Sequence, residues 1–345
     1  MGQGNALVLG ATGQVGRAAV RALVADGWEV TAASRGGGRD EAWPAEVRSV
    51  AFDRNEEGAL AGALGGAGCD VLVDIVAYHA GHGRQLTALA DRIGSAVVIS
   101  SGAVYEDDRG RSFDTQDEPD GFPACPVPIP ESWRTVAPGE GTYGTRKVAL
   151  ERELLAMGEA LPTTVLRAGA IHGPYCPGPR ELWFVKRALD GRPVRILSYD
   201  GVSRFHPVHV DNLGELVRLA AAQPGTRVIN GGDPEAPTVA EIGAAIDAVI
   251  GVESETVLMA GAPEGTVGLT PWTAAHPVVY DMGAAERELG YRPVVSYAES
   301  LPATVADLTR RVAEREWREA FPGLAKYGVD FFDYAAEDAW LAARR

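Results

Sequence analysis

Through its first half the chain alternates short, almost unbroken apolar runs with stretches of helical periodicity. Runs at 6–9, 29–33, 47–52, 71–75 and 96–100 predict strands, and the segments 14–25, 56–64 and 81–93 predict helices between them. Strands with almost no internal polar alternation belong to a sheet covered on both faces, as right-handed strand–helix–strand crossovers produce. The pattern predicts an α/β architecture built on a doubly wound parallel sheet.

After Tyr105 the periodicity stops. The stretch EDDRGRSFDTQDEPDGFPACPVPIPESWRTVAPGEG is polar and rich in proline, and it reads as a long loop lying over a site or as a surface insertion. Helical spacing resumes over 143–157, a sixth strand follows at 163–167, and further helices are predicted at 181–189, 212–222, 239–249, 284–289 and 297–315. Strands at 194–197 and 228–230 interrupt them. This reading gives a dinucleotide-binding domain over 1–170 and a smaller mixed α/β lobe over 171–345, some segments of which could return to the first domain. The second lobe is expected to bind substrate, held between the two.

Composition narrows the function. A formal charge of −15 over 345 residues disfavours general nucleic-acid binding and anionic membrane surfaces. Cys69, Cys125 and Cys176 are odd in number and form no CxxC pair, which fits a reducing, cytoplasmic setting. No run approaches the length of a membrane span, and the opening MGQGNALVLGATG lacks the basic-then-apolar order of a secretion signal. Gly2 does not begin a myristoylation signal, because the Ser or Thr that such a signal prefers is missing.

The first predicted strand runs directly into Gly10-Ala11-Thr12-Gly13-Gln14-Val15-Gly16, which opens the first helix. Gly10 and Gly13 allow a tight turn and close approach of backbone to a pyrophosphate, and Gly16 lets the helix sit against the strand. The helix N-terminus aims free N–H groups at the anion, with Thr12, Gln14 and Val15 completing the contact. This is the context expected of a Rossmann-type nucleotide site.

The end of the second strand reads Ala33-Ser34-Arg35, with Arg39 close behind. An acid there would bond a ribose 2′-hydroxyl, whereas arginine accommodates a 2′-phosphate, so NADP(H) is favoured, with NAD(H) as the alternative. Asp53, after the third strand, is expected near the adenine, and Arg54 beside it is expected at the cofactor. Ala77, after the fourth, is expected to let the cofactor pass.

Tyr143 and Lys147 stand four apart on one predicted helix, so their side chains share a face. An ammonium beside a phenol lowers its pKa, which suits the tyrosine to act as acid or base toward a carbonyl or alcohol. Ser101, in the hydroxyl-rich end of the fifth strand, is placed to hold the substrate oxygen, and Lys147 to bond the nicotinamide ribose.

Taken in order, GATGQVG at 10–16, SSGAVY at 100–105, YGTRK at 143–147, LRAGAIHGP at 166–174, HPVHVDNLGE at 206–215 and LGYRP at 289–293 resemble the extended, epimerase/dehydratase-like branch of the short-chain dehydrogenase/reductase superfamily. The resemblance implies catalytic roles for Ser101, Tyr143 and Lys147, and a homodimer. By position, Ala170 is expected near the cofactor, and Tyr78, His79, Ala103, His172 and Arg204 near the substrate.

The chain departs from that pattern in places. Dehydratases of this kind carry Asp-Glu after the serine or threonine, where this chain has Gly102-Ala103. Nucleotide-sugar epimerases often carry asparagine where Ala170 stands, and Arg204 is shifted by one from their diphosphate arginine. His79, His82, His172, His206 and His209 supply no metal-ligand spacing, so cap, core or substrate-lining roles are expected and no metal. The segment GPRELWFVKRALDGRPVRI is similar to a plant-type branch associated with RNA binding, a reading weakened by the acidic charge. The expected activity is hydride transfer to a carbonyl, or from an alcohol, of a small polar or sugar-like substrate. A sugar epimerase and a non-catalytic nucleotide-sensing or RNA-associated protein are the alternatives.

Overall fold

The computed structural model describes residues 3–344; the Gly2 expectation lies outside them. In chain order the strands are β1 Gly4–Leu9, β2 Trp28–Ser34, β3 Arg48–Ala51, β4 Cys69–Asp74, β5 Ile93–Ser101, β6 Thr163–Ala168, β7 Ala170–His172, β8 Val194–Leu197, β9 Pro207–His209, β10 Arg227–Gly231 and β11 Glu255–Leu258. The helices are α1 Gln14–Ala25, α2 Ala59–Leu64, α3 Ala80–Thr87, α4 Tyr143–Leu155, α5 Leu182–Leu189, α6 Val210–Ala222, α7 Val239–Ile250, α8 Gly283–Leu289 and α9 Tyr297–Glu314, followed by the short α10 Trp317–Ala320, α11 Pro322–Ala325 and α12 Tyr334–Ala342.

The chain divides into two compact units. The first comprises Met1–Gly169, Val210–Gly232 and Tyr280–Val294. It holds a seven-stranded sheet in the order β10-β6-β5-β4-β1-β2-β3, parallel at every pairing. Both faces are covered, which is why β1, β4 and β6 end in consecutive buried residues. Leu7, Leu9, Leu72, Val98, Leu150 and Leu154 belong to one buried cluster, and each contributes on the order of 2 kcal/mol by leaving water.

The edge strand β10 comes from the second half of the chain and pairs with β6 from Arg227↔Thr164 to Gly231↔Ala168. Helix α6 leads into it and lies close against α1: a Cβ on Gly214 would stand 3.1 Å from the Ala18 carbonyl oxygen. The return places these residues in the sheet.

The second unit comprises Ala170–His209, Asp233–Val279 and Val295–Arg345. Its two small sheets pair β7 with β9 and β8 with β11. Around them, α5, α7 and α9 to α11 bury Trp183, Phe184, Ile246, Leu301, Phe321 and Leu324. Buried ion pairs, Arg187 to Glu337 at 2.6 Å and Arg195 to Asp247 at 2.8 Å, tie α12 and α7 into this unit. No helix among the described residues is long and apolar enough to cross a membrane.

The long segment after Tyr105 is braced from within. Asp107 accepts bonds from the backbone N–H groups of Arg109, Arg111 and Ala124 and from Arg111 Nε at 2.6 Å. It contains one short 3-10 turn, Phe113–Thr115.

Candidate active site

At the end of β1 the chain turns through Gly10, whose φ of +85° favours glycine. The N–H groups of Gly10 and Ala11 both donate to the Ala33 carbonyl, at 2.9 and 3.1 Å, and Gly13 N–H donates to Gly10 O at 3.0 Å. A Cβ on Gly16 would fall 2.2 Å from Gly10 O and 2.6 Å from Ala11 Cα, so only glycine lets α1 start this close to the turn. No side chain caps the N-terminus of α1 and no acid occupies its first turn. The positive dipole end of the helix therefore suits an anion. Gln14 opens the helix, and Val15 is buried.

Gly10, Thr12 and Gly13 line a cleft of about 650 Å³, together with Ser34, Arg35, Phe52, Asp53, Arg54, Asn55, Val76, Tyr78, His79 and His82. Ser34 is buried and its hydroxyl has no partner among the described residues. Arg35 stands exposed beside it. The glycine turn at the start of α1 fits the pyrophosphate of a dinucleotide.

Arg39 and Arg54 are engaged elsewhere. Arg39 donates to the carbonyls of Val47 at 2.5 Å, Trp43 at 2.8 Å and Pro44, closing its own loop. Arg54, expected at the cofactor, borders the cleft, but its guanidinium forms a two-pronged pair with buried Asp74, both bonds at 3.0 Å, and also bonds Gln85. A carboxylate with no solvent access requires a counter-charge, which holds Arg54 in place at the border of the cleft. Asp53 accepts from the backbone and side chain of Asn55 at 3.0 and 2.9 Å, which orients it along the cleft wall. Ala77 packs its side chain into the core and offers its carbonyl oxygen to Lys147.

Ser101 ends β5, and its hydroxyl accepts from Ala103 N–H at 3.1 Å. Tyr143 is the first residue of α4, whose N-cap, Thr142, forms a reciprocal capping box with Thr145. One turn on, Lys147 is almost wholly buried and donates to Ala77 O at 2.6 Å and Ile99 O at 2.8 Å. Its Nζ lies 5.0 Å from the Tyr78 ring centroid and 5.8 Å from that of Tyr143.

Burial pushes the Lys147 ammonium down to about 8, while Asp74 and Glu151 pull it upward. The phenol of Tyr143 is raised by desolvation where it enters the site, against a hydrogen bond with Ser101 that lowers it, although the residue as a whole is 41% exposed. Lys147 does not figure among the groups that shift it. The ammonium faces the ring and gives hydrogen bonds to two carbonyls instead of to the phenol oxygen.

Tyr78 is exposed, and its N–H donates to His82 Nδ1 at 3.0 Å. His79 is the N-cap residue of α3 without a capping bond, and its ring stacks on His82 at 3.7 Å. Burial, with Arg54, His79 and Lys147 adding to it, holds His82 down to about 3, so this imidazole is neutral. Phe52, Asn55 and Val76 were not singled out by sequence, although each sits in or beside a residue pattern, the C-terminal end of a parallel strand, where nucleotide sites form.

Ala170, His172 and Arg204 fall in the second unit. Ala170 is buried and donates its N–H to His206 O at 2.8 Å. His172, expected near substrate, is 1% exposed and bonds Asp233 through Nε2 at 2.7 Å, which makes it part of that unit's interior. The same Asp233 accepts from His209 N–H at 2.7 Å, and its carbonyl meets His206 Nε2 at 2.8 Å. Arg204 is exposed. Among the described residues no group of three or more His, Cys, Asp or Glu is arranged to hold a metal ion.

Comparison with known proteins gives the family. Residues 6–232 match the model of the NAD dependent epimerase/dehydratase family. A 2′-dehydrokanamycin reductase from Streptomyces kanamyceticus is 28% identical over 217 residues, which is 60% of this chain and 55% of that protein. The chain thus matches about half the length of that curated relative. Among solved structures, UDP-glucuronic acid 4-epimerase from Bacillus cereus in complex with NAD superposes with a TM-score of 0.68 at 17% identity, covering 90% of this chain and 99% of the other. The dTDP-glucose 4,6-dehydratase DesIV from Streptomyces venezuelae gives 0.67 at 21% identity, with coverages of 90% and 99%. At such identities the likeness is one of fold. With the family model spanning most of the chain, the protein belongs to the NAD dependent epimerase/dehydratase family of enzymes.

Proposed function

We propose that this protein is an NADP(H)-dependent reductase that converts a ketone on a small polar, sugar-like substrate to an alcohol. The observation that carries the reading is the grouping of Tyr143, Ser101 and buried Lys147 in the same unit as the open glycine turn. In this reading the first unit holds the dinucleotide and the second is the substrate-binding lobe.

When bound, the reduced nicotinamide supplies a hydride to the carbonyl carbon. Tyr143 gives its proton to the carbonyl oxygen, and Ser101 holds that oxygen by a hydrogen bond. A phenol is protonated at neutral pH, which leaves it a proton to donate in the reductive direction. Lys147 bonds the nicotinamide ribose and, through its charge, stabilises the phenolate left after transfer. Ser34 and Arg35 hold the 2′-phosphate, which favours NADP(H) over NAD(H).

The curated relative supports this direction, since its name describes reduction of a dehydro compound. Water elimination finds little support: Gly102 and Ala103 offer no carboxylate, and a side chain on Gly102 would meet Tyr280 Oη at 1.9 Å. A homodimer, carried by the resemblance, is tested by sedimentation of the intact chain. The activity is tested by following NADPH oxidation over a panel of keto sugars. Stoichiometric consumption of NADPH supports a reductase, and interconversion of sugar epimers without net consumption replaces it with an epimerase.

A further inference from the structure

Helix α4 carries a third functional side chain in line with the first two. Tyr143, Lys147 and Glu151 follow at i, i+4 and i+8, so one helix face presents all three. Glu151 is 3% exposed and its carboxylate accepts from Ser100 Oγ at 2.5 Å and from Arg167 at 2.7 Å. Lys147 meanwhile bonds the carbonyl of Ile99. Consecutive residues of β5 are thus gripped by consecutive turns of α4, immediately before Ser101.

Charge alternates through this interior. Arg54 neutralises Asp74, Arg167 neutralises Glu151, and both carboxylates favour the charged form of Lys147, against Arg54. The other groups facing the ammonium are the rings of Tyr78 and Tyr143 and neutral His82. A buried ammonium bonded only to carbonyl oxygens needs such counter-charge to remain an ammonium.

We propose that Glu151 is a positioning residue for proton transfer, holding Lys147 charged and fixing the end of β5 that carries Ser101. The proposal rests on the reductase reading, in which Lys147 bonds the cofactor ribose. E151Q keeps the shape and the Ser100 bond, removes the negative charge and leaves Arg167 unneutralised, so the ammonium is lost at lower pH. E151D keeps the carboxylate, so the ammonium persists to the pH of the wild type. A merely structural role would weaken the fold in both variants without moving the titration in one and sparing it in the other.

The test is NADPH binding by the intact protein, followed by fluorescence between pH 7 and pH 10, with thermal unfolding measured alongside. The wild type is expected to lose affinity with a midpoint set by Lys147, and K147M to lose that transition. E151Q should shift the midpoint down by about one pH unit and E151D should leave it near that of the wild type. If E151Q cannot be purified, E151A is measured in its place, with the same downward shift expected. A midpoint that K147M leaves in place overturns the reading of Lys147 itself. A midpoint abolished by K147M yet unmoved in E151Q, or lowered equally in E151D, overturns the role of Glu151 only.

Discussion

The Thr142 hydroxyl donates to the Asp114 carboxylate at 2.5 Å, and the next residue is Tyr143. The braced loop therefore fixes the N-cap of the helix whose first residue is the proposed proton donor, and it sets a negative charge at that helix's positive end. Gly144 completes the junction, because a Cβ there would stand 2.8 Å from Ala103 O and 3.0 Å from Asp114 Oδ2. Thr142→Ala should cost about 1 kcal/mol in urea denaturation. It should also lower kcat more than it raises KM, since it loosens Tyr143 without touching the cofactor turn. A variant with unchanged kcat would mean that the cap supports the fold alone.

Tyr143→Phe removes only the phenol oxygen. Turnover should fall by roughly 10²- to 10⁴-fold, while the affinity for NADPH stays near that of the wild type. Steady-state kinetics with a reducible keto sugar, beside a fluorescence titration, checks both parts. Undiminished turnover would remove Tyr143 as the donor.

Arg35→Ala should weaken NADPH by roughly 10- to 100-fold, the range of one charge-assisted hydrogen bond, and leave NADH little changed. Ser34→Ala should act in the same direction with a smaller loss. Equal losses for both dinucleotides, measured by calorimetry, would take away the basis for NADP(H) preference.

Gly16→Ala places a methyl group on backbone atoms of the turn that cannot move without displacing α1. Destabilisation of about 1–3 kcal/mol and loss of dinucleotide binding are expected. Circular dichroism melting and the NADPH titration measure them separately.

His82 is held neutral in the folded state, its pKa down at about 3 from 6.5. Between those values the unfolded chain binds the proton that the native protein refuses, so this term is complete above pH 6.5 and is lost as pH falls toward 3. Stability measured by urea denaturation from pH 7 to pH 4 should decline, and His82→Gln should flatten the slope. An unchanged slope in that variant would assign the acid sensitivity to other groups.

What the sequence determined was local. The periodicity of Gln14–Ala25 predicts a helix with the bounds found, and the turn from Gly10 to Gly16 follows from which residues tolerate close backbone contact. The alternation of apolar runs and helices likewise specifies a parallel sheet covered on both faces, because that covering is written into each strand's own residues. Tertiary structure decided everything that depends on a distant partner. It placed Arg227–Gly231 beside β6, directed Arg54 to Asp74 and Arg39 to its own loop, enclosed His172 with Asp233, and turned the Lys147 ammonium toward two carbonyls. A side chain's charge is a property of the sequence; the group that takes up that charge is set by which remote backbone or carboxylate the fold brings within reach, and burial makes that choice energetically binding.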